Sequence, residues 1–522
     1  MKKKINSLKI MRVILALLFF APFLFIFVDF TGKSNILARL AHLQIIPAIV
    51  GGMLGVLAML LILTFIFGRI YCSVLCPLGV LQDILERVTT FWMKKKNRTK
   101  RYGYAKPWNK LRYLLLAAGL ITFVAGSSYL LLLLDPYSNF GRIASNLFHP
   151  AYVEMNNVLQ SILLKFDNYS LYYQSIYPIL FSLFTALFIF IGIGIAVFLS
   201  GRIICNTLCP AGALLSIVSR YSLFKITMNK EQCNTCGLCE KNCKAQCIDS
   251  QNGTIDASRC VDCYNCISSC TKNGLRYRFV SPFTKKSVPV EGKPGKSRRE
   301  FIATSATIAT TLPLLNMKTA RAGRYRRRYR KGMITIDRSI PILPPGAKSL
   351  KHFNHHCTAC HLCVVKCPNH VIKPAAFEYG PGFLLKPHVS YEDGFCNYDC
   401  TVCTEICPTH AIMPITKEEK KLVQMGIADF VQELCVVYTD QTDCGACSEH
   451  CPTQAVHMIP YKGMLTIPEL TPEICIGCGG CEYICPVRPI RAINVIASET
   501  QKTAKAPKVE ESKEIKIDSF GF

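Results

Sequence analysis

Acidic residues are scarce in this chain of 522: 34 Asp and Glu stand against 61 Lys and Arg, a formal charge of +27. Such an excess invites a nucleic-acid partner, but no RNA- or DNA-binding motif accompanies it. Residues 346–522 hold 16 Lys/Arg and 20 Asp/Glu, so the whole excess lies upstream, where it flanks long apolar runs as bilayer topology requires. Also missing are a nucleophile triad, a phosphate-binding loop, a flavin-attachment segment and a haem ligand set. Gly192 and Gly194 lie inside an apolar run and read as close-packing points, not as a nucleotide fingerprint. With no stand-alone catalyst in view, cysteine is left to carry the chemistry.

The 29 cysteines are not scattered. Cys233, Cys236, Cys239 and Cys243 are followed by Cys260, Cys263, Cys266 and Cys270, both groups spaced C-x-x-C-x-x-C-x-x-x-C. In the bacterial ferredoxin run of that spacing, three thiolates hold one 4Fe-4S cube and the fourth reaches the other. Cys233, Cys236, Cys239 and Cys270 are therefore expected around one cluster, and Cys260, Cys263, Cys266 and Cys243 around a second. Lys244 and Thr271 replace the usual proline, a change expected to loosen the turn or wet the sulfurs. Four further groups follow: Cys357, Cys360, Cys363, Cys367; Cys396, Cys400, Cys403, Cys407; Cys435, Cys444, Cys447, Cys451; and Cys475, Cys478, Cys481, Cys485. Disulfides do not explain six repeats of nearly one spacing, and zinc knuckles usually come as paired C-x-x-C units. Six 4Fe-4S clusters are the expected cofactors. Cys357-Thr358-Ala359-Cys360-His361 also fits a c-type haem attachment pattern, but that reading strands Cys363 and Cys367. Cys247 is left over.

Four apolar runs, about Ile10 to Val28, Ile45 to Phe67, Leu114 to Leu134 and Ile176 to Leu199, are each long enough to cross a bilayer core. Residues 68–112 carry 11 Lys/Arg against Asp83 and Glu86, whereas residues 135–174 carry only Arg142 and Lys165 against three acids. Positive loops stay in the cytoplasm, so the amino terminus and the Cys233–Cys270 stretch are expected there.

An internal repeat closes the second and fourth runs: Gly68-Arg69-Ile70-Tyr71-Cys72-Ser73-Val74-Leu75-Cys76-Pro77 and Gly201-Arg202-Ile203-Ile204-Cys205-Asn206-Thr207-Leu208-Cys209-Pro210. Two copies on one membrane face suggest a pseudo-twofold axis that brings Cys72, Cys76, Cys205 and Cys209 towards one point. They read equally as buried structural thiols, a redox disulfide pair or a shared metal site.

Apolar helices, two G-R-x-x-C-x-x-x-C-P repeats and a following two-cluster ferredoxin together resemble the NapH-type membrane ferredoxins of periplasmic nitrate reductase systems, over roughly residues 1–280. That resemblance implies electrons taken from quinol. Beyond a polar linker, Ser297-Arg298-Arg299-Glu300-Phe301-Ile302, a short apolar run and Ala320-Arg321-Ala322 resemble a twin-arginine export signal inside the chain, departing from its usual pattern at Ala303. A basic linker helix is the alternative. The carboxy-terminal module with this signal resembles NapG/MauM-type exported ferredoxins, so the chain looks like a NapH and NapG fusion. Resemblance to four-cluster electron-transfer subunits implies nested pairing: Cys367 and Cys485 crossing between the outer motifs, Cys407 and Cys451 between the inner ones.

The expected architecture is an α-helical membrane domain of four transmembrane helices (1–225) with α+β bacterial-type ferredoxin domains, one two-cluster (226–280) and one four-cluster (346–497). A linker with the internal signal (281–345) joins them, and a flexible tail (498–522) ends the chain. The expected function is electron transfer in the bacterial cytoplasmic membrane, from the quinone pool through the clusters to a periplasmic reductase or cytochrome partner. Residues 226–280 would be cytoplasmic, 346–522 periplasmic and nucleic acid not a partner. A redox maturation or regulatory ferredoxin is the alternative, and a third possibility keeps both modules cytoplasmic.

Overall fold

The computed structural model describes residues 7–29, 36–95, 102–175, 179–281, 328–330, 333–335 and 338–506. The twin-arginine-like segment, residues 297–322, lies outside them.

Four uninterrupted spanning helices are not what forms. Among the described residues two helices are long and apolar enough to cross a membrane, Ser7–Val28 and Leu180–Ser200. At 1.5 Å per residue each is a little over 30 Å long. The second run breaks into Ile45–Val50 and Leu54–Phe67, because Gly51 caps the first piece and Gly52 takes φ 69°. The third breaks into Asn109–Val124 and Tyr129–Leu134 around Gly126, whose φ is 89°. Apolarity sets where these segments are buried, but a left-handed glycine decides whether the helix continues. The connections read as loops hold helices too: Pro77–Lys95, Pro136–Ile143 and His149–Leu164. Asp135 starts the second of these by accepting from the amides of Tyr137 and Ser138.

The two ferredoxin modules meet opposite ends of this helical region, and three helices agree on it. Near the start of Ser7–Val28, Arg12 reaches Asp83, which also pairs with the first module's Lys244; just past its end, Asp29 pairs with Lys366 of the second at 3.0 Å. Those two points are about 25 Å apart along a helix. Near the start of Asn109–Val124, Arg112 donates to Ser258 O, and near its end Phe123 O accepts from His355 Nε2. Leu180–Ser200 packs Phe181 against Phe377 at one end, and Gly201 approaches the Lys244 carbonyl at the other.

In the first module Phe224–Met228 pairs antiparallel with Leu275–Phe279, enclosing the short pair Ile248–Asp249 and Thr254–Ile255. The second holds three antiparallel pairs: Ile372–Pro374 with Pro387–Val389, Val456–Pro460 with Thr466–Leu470, and Val423–Phe430 with Ile493–Thr503. The last pair corrects the expected tail, since Lys502 and Thr503 lie opposite Gln424 and Val423 and Ala504 is buried. Alternating Lys and Glu suggest solvation, but the ladder holds Lys502 and Thr503, and Thr500 bridges Ser349 across the bulge between them and Ala497. The module also starts earlier than residue 346, with Ile342 and Leu343 in its core.

Candidate metal centres

Each four-cysteine motif folds the same way at its centre. The third cysteine sits on a one-turn helix: Cys239 on Leu238–Lys241, Cys266 on Asn265–Ser269, Cys363 on Leu362–Val365, Cys403 on Val402–Glu405, Cys447 on Ala446–Glu449 and Cys481 on Gly480–Ile484. Where the first gap is two residues, left-handed backbone flanks the second cysteine: Thr235 and Gly237, Asp262 and Tyr264, Ala359 and His361, Gly477 and Gly479. Such turns aim successive N–H groups inward at negative charge; Ala359 N, for one, donates to Cys357 Sγ. In five of the six motifs the third residue after the fourth cysteine is left-handed, with or without a following proline: Gln246 (φ 53°) and Asn273 (53°) match His370 (53°), His410 (55°) and Gln454 (54°), while Arg488 after Cys485 does not. Lys244 and Thr271 therefore leave the turn unchanged, and Cys243 is buried, against the looser turn or wetter sulfur expected there.

Five cavities are each lined by cysteine residues. Cys233, Cys236, Cys239 and Cys270 line one; Cys243, Cys260, Cys263 and Cys266 line another. In the second module Cys357, Cys360 and Cys363 are joined by Cys407, and Cys396, Cys400 and Cys403 by Cys367. Cys435, Cys444 and Cys447 are joined by Cys485. Cys451 faces Cys475, Cys478 and Cys481. The nested crossing is thereby overturned: the first motif pairs with the second, the third with the fourth. A short antiparallel pair stands between the members of each couple and turns the chain back, so neighbours in sequence become neighbours in space.

The donor set fits iron–sulfur cubes. Among the described residues no three of His, Cys, Asp or Glu converge on a single-ion position, so the thiols surround a volume instead of one tetrahedral zinc. Burial pushes the thiols of Cys357 and Cys478 up to about 12 and that of Cys239 up to about 11. Ligation as thiolate must then release protons. Both ring nitrogens of His361 are engaged, Nε2 donating to Leu385 O (3.0 Å) and Nδ1 beside Asn146 (3.4 Å), which leaves none for a haem iron. Cys247, the leftover cysteine, is a fifth thiol in the Cys243 cavity, its Sγ 3.6 Å from that of Cys243.

At the internal repeat, Cys72, Cys76, Cys205 and Cys209 are all buried and none is in a disulfide. The two copies interlock. Arg69 of the first donates to the Cys205 carbonyl of the second (3.1 Å), and Arg202 of the second to the Cys72 carbonyl of the first (2.6 Å). Gly79 and Gly212 make room: a Cβ on either would lie 2.2 Å from the carbonyl oxygen of Cys72 or Cys205. The prolines start the following helices at the first position, where no amide partner is lost. Sequence reading singled out the cysteines but missed these arginines and Asp83, although the repeated G-R pairs were a signal for them.

Known families match over the same segments. A 4Fe-4S binding domain matches residues 49–100 and again 182–229, one copy for each repeat. A 4Fe-4S dicluster domain matches 256–371 and another 441–488, the latter joining the third and fourth motifs as the structure does. The chain carries 4Fe-4S ferredoxin domains. It is similar to an uncharacterised protein of Methanocaldococcus jannaschii (26% identity, 54% of this chain and 92% of the relative). It is also similar to the methylamine utilization ferredoxin-type protein MauM of Methylobacillus flagellatus (34%, 27% and 62%) and the ferredoxin-type protein NapF of Escherichia coli K12 (29%, 30% and 90%). No solved structure matches. These ferredoxin domains identify the chain as an iron–sulfur electron-transfer protein of ferredoxin type.

Proposed function

We propose that this is a membrane-bound conduit that accepts electrons from quinol and passes them through six 4Fe-4S clusters, one per cysteine group, towards a periplasmic reductase or cytochrome partner. It would be a natural fusion of NapH-like and NapG/MauM-like parts, with the segment 297–322 serving the export of the second module. The helical region would form the membrane domain, its broken segments packed beside the two long helices.

One observation carries this reading. A single buried core runs from Cys243, Cys263 and Cys266 of the first module through Cys72, Cys76, Tyr71 and Tyr137 of the helical region to Leu362 of the second, with Cys360 packed against it. A route for electrons between opposite ends of the helices needs such a dry, continuous path. The second module continues it. Ser128 donates to the Cys357 carbonyl (2.8 Å), setting the Cys357, Cys360, Cys363 and Cys407 group against the bundle. Cys396 N donates to Cys478 O (2.9 Å), which links the next group to the Cys475 group; the Cys435 group ends the file.

On this reading the chain's residues hold, insulate and orient the cubes, which supply one-electron chemistry with little rearrangement. The four membrane-edge thiols are the relay between the modules. Replacing Cys72 and Cys205 with Ser should block quinol-dependent reduction of the second module's clusters while iron content stays at the wild-type level. Unchanged reduction would remove the relay.

A further inference from the structure

Lys244 stands where four of the six motifs in this chain carry proline: Pro368, Pro408, Pro452 and Pro486. Its turn matches those after Cys367, Cys407 and Cys451, so backbone geometry does not account for the lysine. The side chain does. It is buried and reaches Asp83 Oδ1 at 2.5 Å, where Arg202 Nη2 arrives at 2.6 Å and Arg12 meets the other oxygen. Three cations from three parts of the chain, the first helix, the second repeat and the ferredoxin, thus share one carboxylate. Arg69 and Arg112, also buried, add two more cations beneath the same ferredoxin, both donating to Ser258 O, while the buried Asp262 lies beside Cys260.

This buried positive charge gathers at the cage of Cys243, Cys260, Cys263 and Cys266. Lys244 directly follows Cys243, and Ser258 O, which accepts from Arg69 and Arg112, lies two residues before Cys260. The Cys233, Cys236, Cys239 and Cys270 cage has only the exposed Lys272 as a cation in its lining, and Cys236 is exposed to solvent. A cube held by four thiolates is negatively charged and gains one more negative charge on reduction, so net charge and exposure set its potential. Buried charges are screened far less than exposed ones.

We propose that the cations gathered on Asp83, with Lys244 as the ferredoxin's own contribution, make the cluster of Cys243, Cys260, Cys263 and Cys266 the higher-potential one of its pair, so that an electron leaving the bundle rests there first. Lys244 is a positioning residue that acts on the cluster through its charge. The inference rests on these cysteines holding a cluster, as proposed above, but not on quinol being the donor.

The test is a redox titration of the full-length protein, followed by electron paramagnetic resonance together with iron analysis. The signal that disappears in Cys266→Ser identifies the cluster. Lys244→Met should move its midpoint down and leave the other clusters unmoved, while Lys244→Arg should restore it. Arg12→Met, which lies outside the ferredoxin, should move the same midpoint in the same direction, and it decides the matter if Lys244→Met loses iron. An unmoved midpoint in iron-replete variants, or an equal shift in every cluster, overturns the proposal. Iron missing from the wild-type protein would instead overturn the cluster assignment itself, so the two failures are told apart.

Discussion

Lys366 and Asp29 form a pair with both side chains almost wholly out of water, exposed by 2% and 3%. Lys366 also donates to the Asp29 carbonyl at 2.9 Å. Breaking such a buried pair by removing one partner costs about 3–5 kcal/mol, whereas replacing both is often near neutral. Lys366→Ala should accordingly release the second module from the helical region, seen as faster proteolysis between residues 338 and 506. Asp29→Asn with Lys366→Met should recover much of the loss. His388 supplies a pH dependence. Burial lowers its pKa to about 4, with Lys373 and Arg338 acting in the same direction and Glu378 against it. Below the ordinary value of 6.5 the unfolded chain takes up a proton that the folded one refuses, so stability is fully present above pH 6.5 and falls as pH drops to about 4. The loss is on the order of 3 kcal/mol. Denaturation of the holoprotein at pH 7 and pH 5 should reveal it, and His388→Phe should flatten the difference. A lone histidine in Pro387–Val389 carried no such signal in the sequence, because burial is a property of what packs over it.

Two kinds of element show where local pattern stops. Apolar runs were legible as runs, but Gly52 and Gly126 break two of them, and a hydropathy window does not weigh one left-handed residue against twenty apolar ones. Gly201 shows the same residue type used for contact. Its φ is 65°, and a Cβ there would lie 2.5 Å from the Lys244 carbonyl. Gly201→Ala is therefore expected to separate the first module from the helices, seen as hydrogen exchange appearing at residues 243–247 while the Phe224–Met228 and Leu275–Phe279 pair stays protected. Motif spacing identified every cysteine group, yet cross-pairing depends on which hairpin returns the chain. Cys407→Ser should perturb the signal of the cluster shared with Cys357, Cys360 and Cys363, and Cys485→Ser that shared with Cys435, Cys444 and Cys447. Under nested pairing Cys407→Ser would instead disturb the Cys435 group.

At the scale of the whole molecule, the modules lie at opposite ends of helices a little over 30 Å long, about the thickness of a bilayer's hydrocarbon core. Protease added to cells opened only at the outer membrane should cut within residues 338–506 and spare 224–281. Protection of both would place the modules on one side and redirect the search to cytoplasmic partners. What the sequence determined by itself is the chemistry, because ligation depends on thiols at fixed short separations along the chain: six cysteine groups and a repeated G-R-x-x-C-x-x-x-C-P motif. What only the tertiary structure decided is everything that depends on distant residues meeting. This includes the consecutive pairing, the Arg69 and Arg202 exchange, Lys244 and Lys366 as joints at opposite ends, and the core that runs between them. Spacing along a chain specifies a cage's rim, whereas the fourth thiol, the neighbouring charges and the next cage arrive through packing.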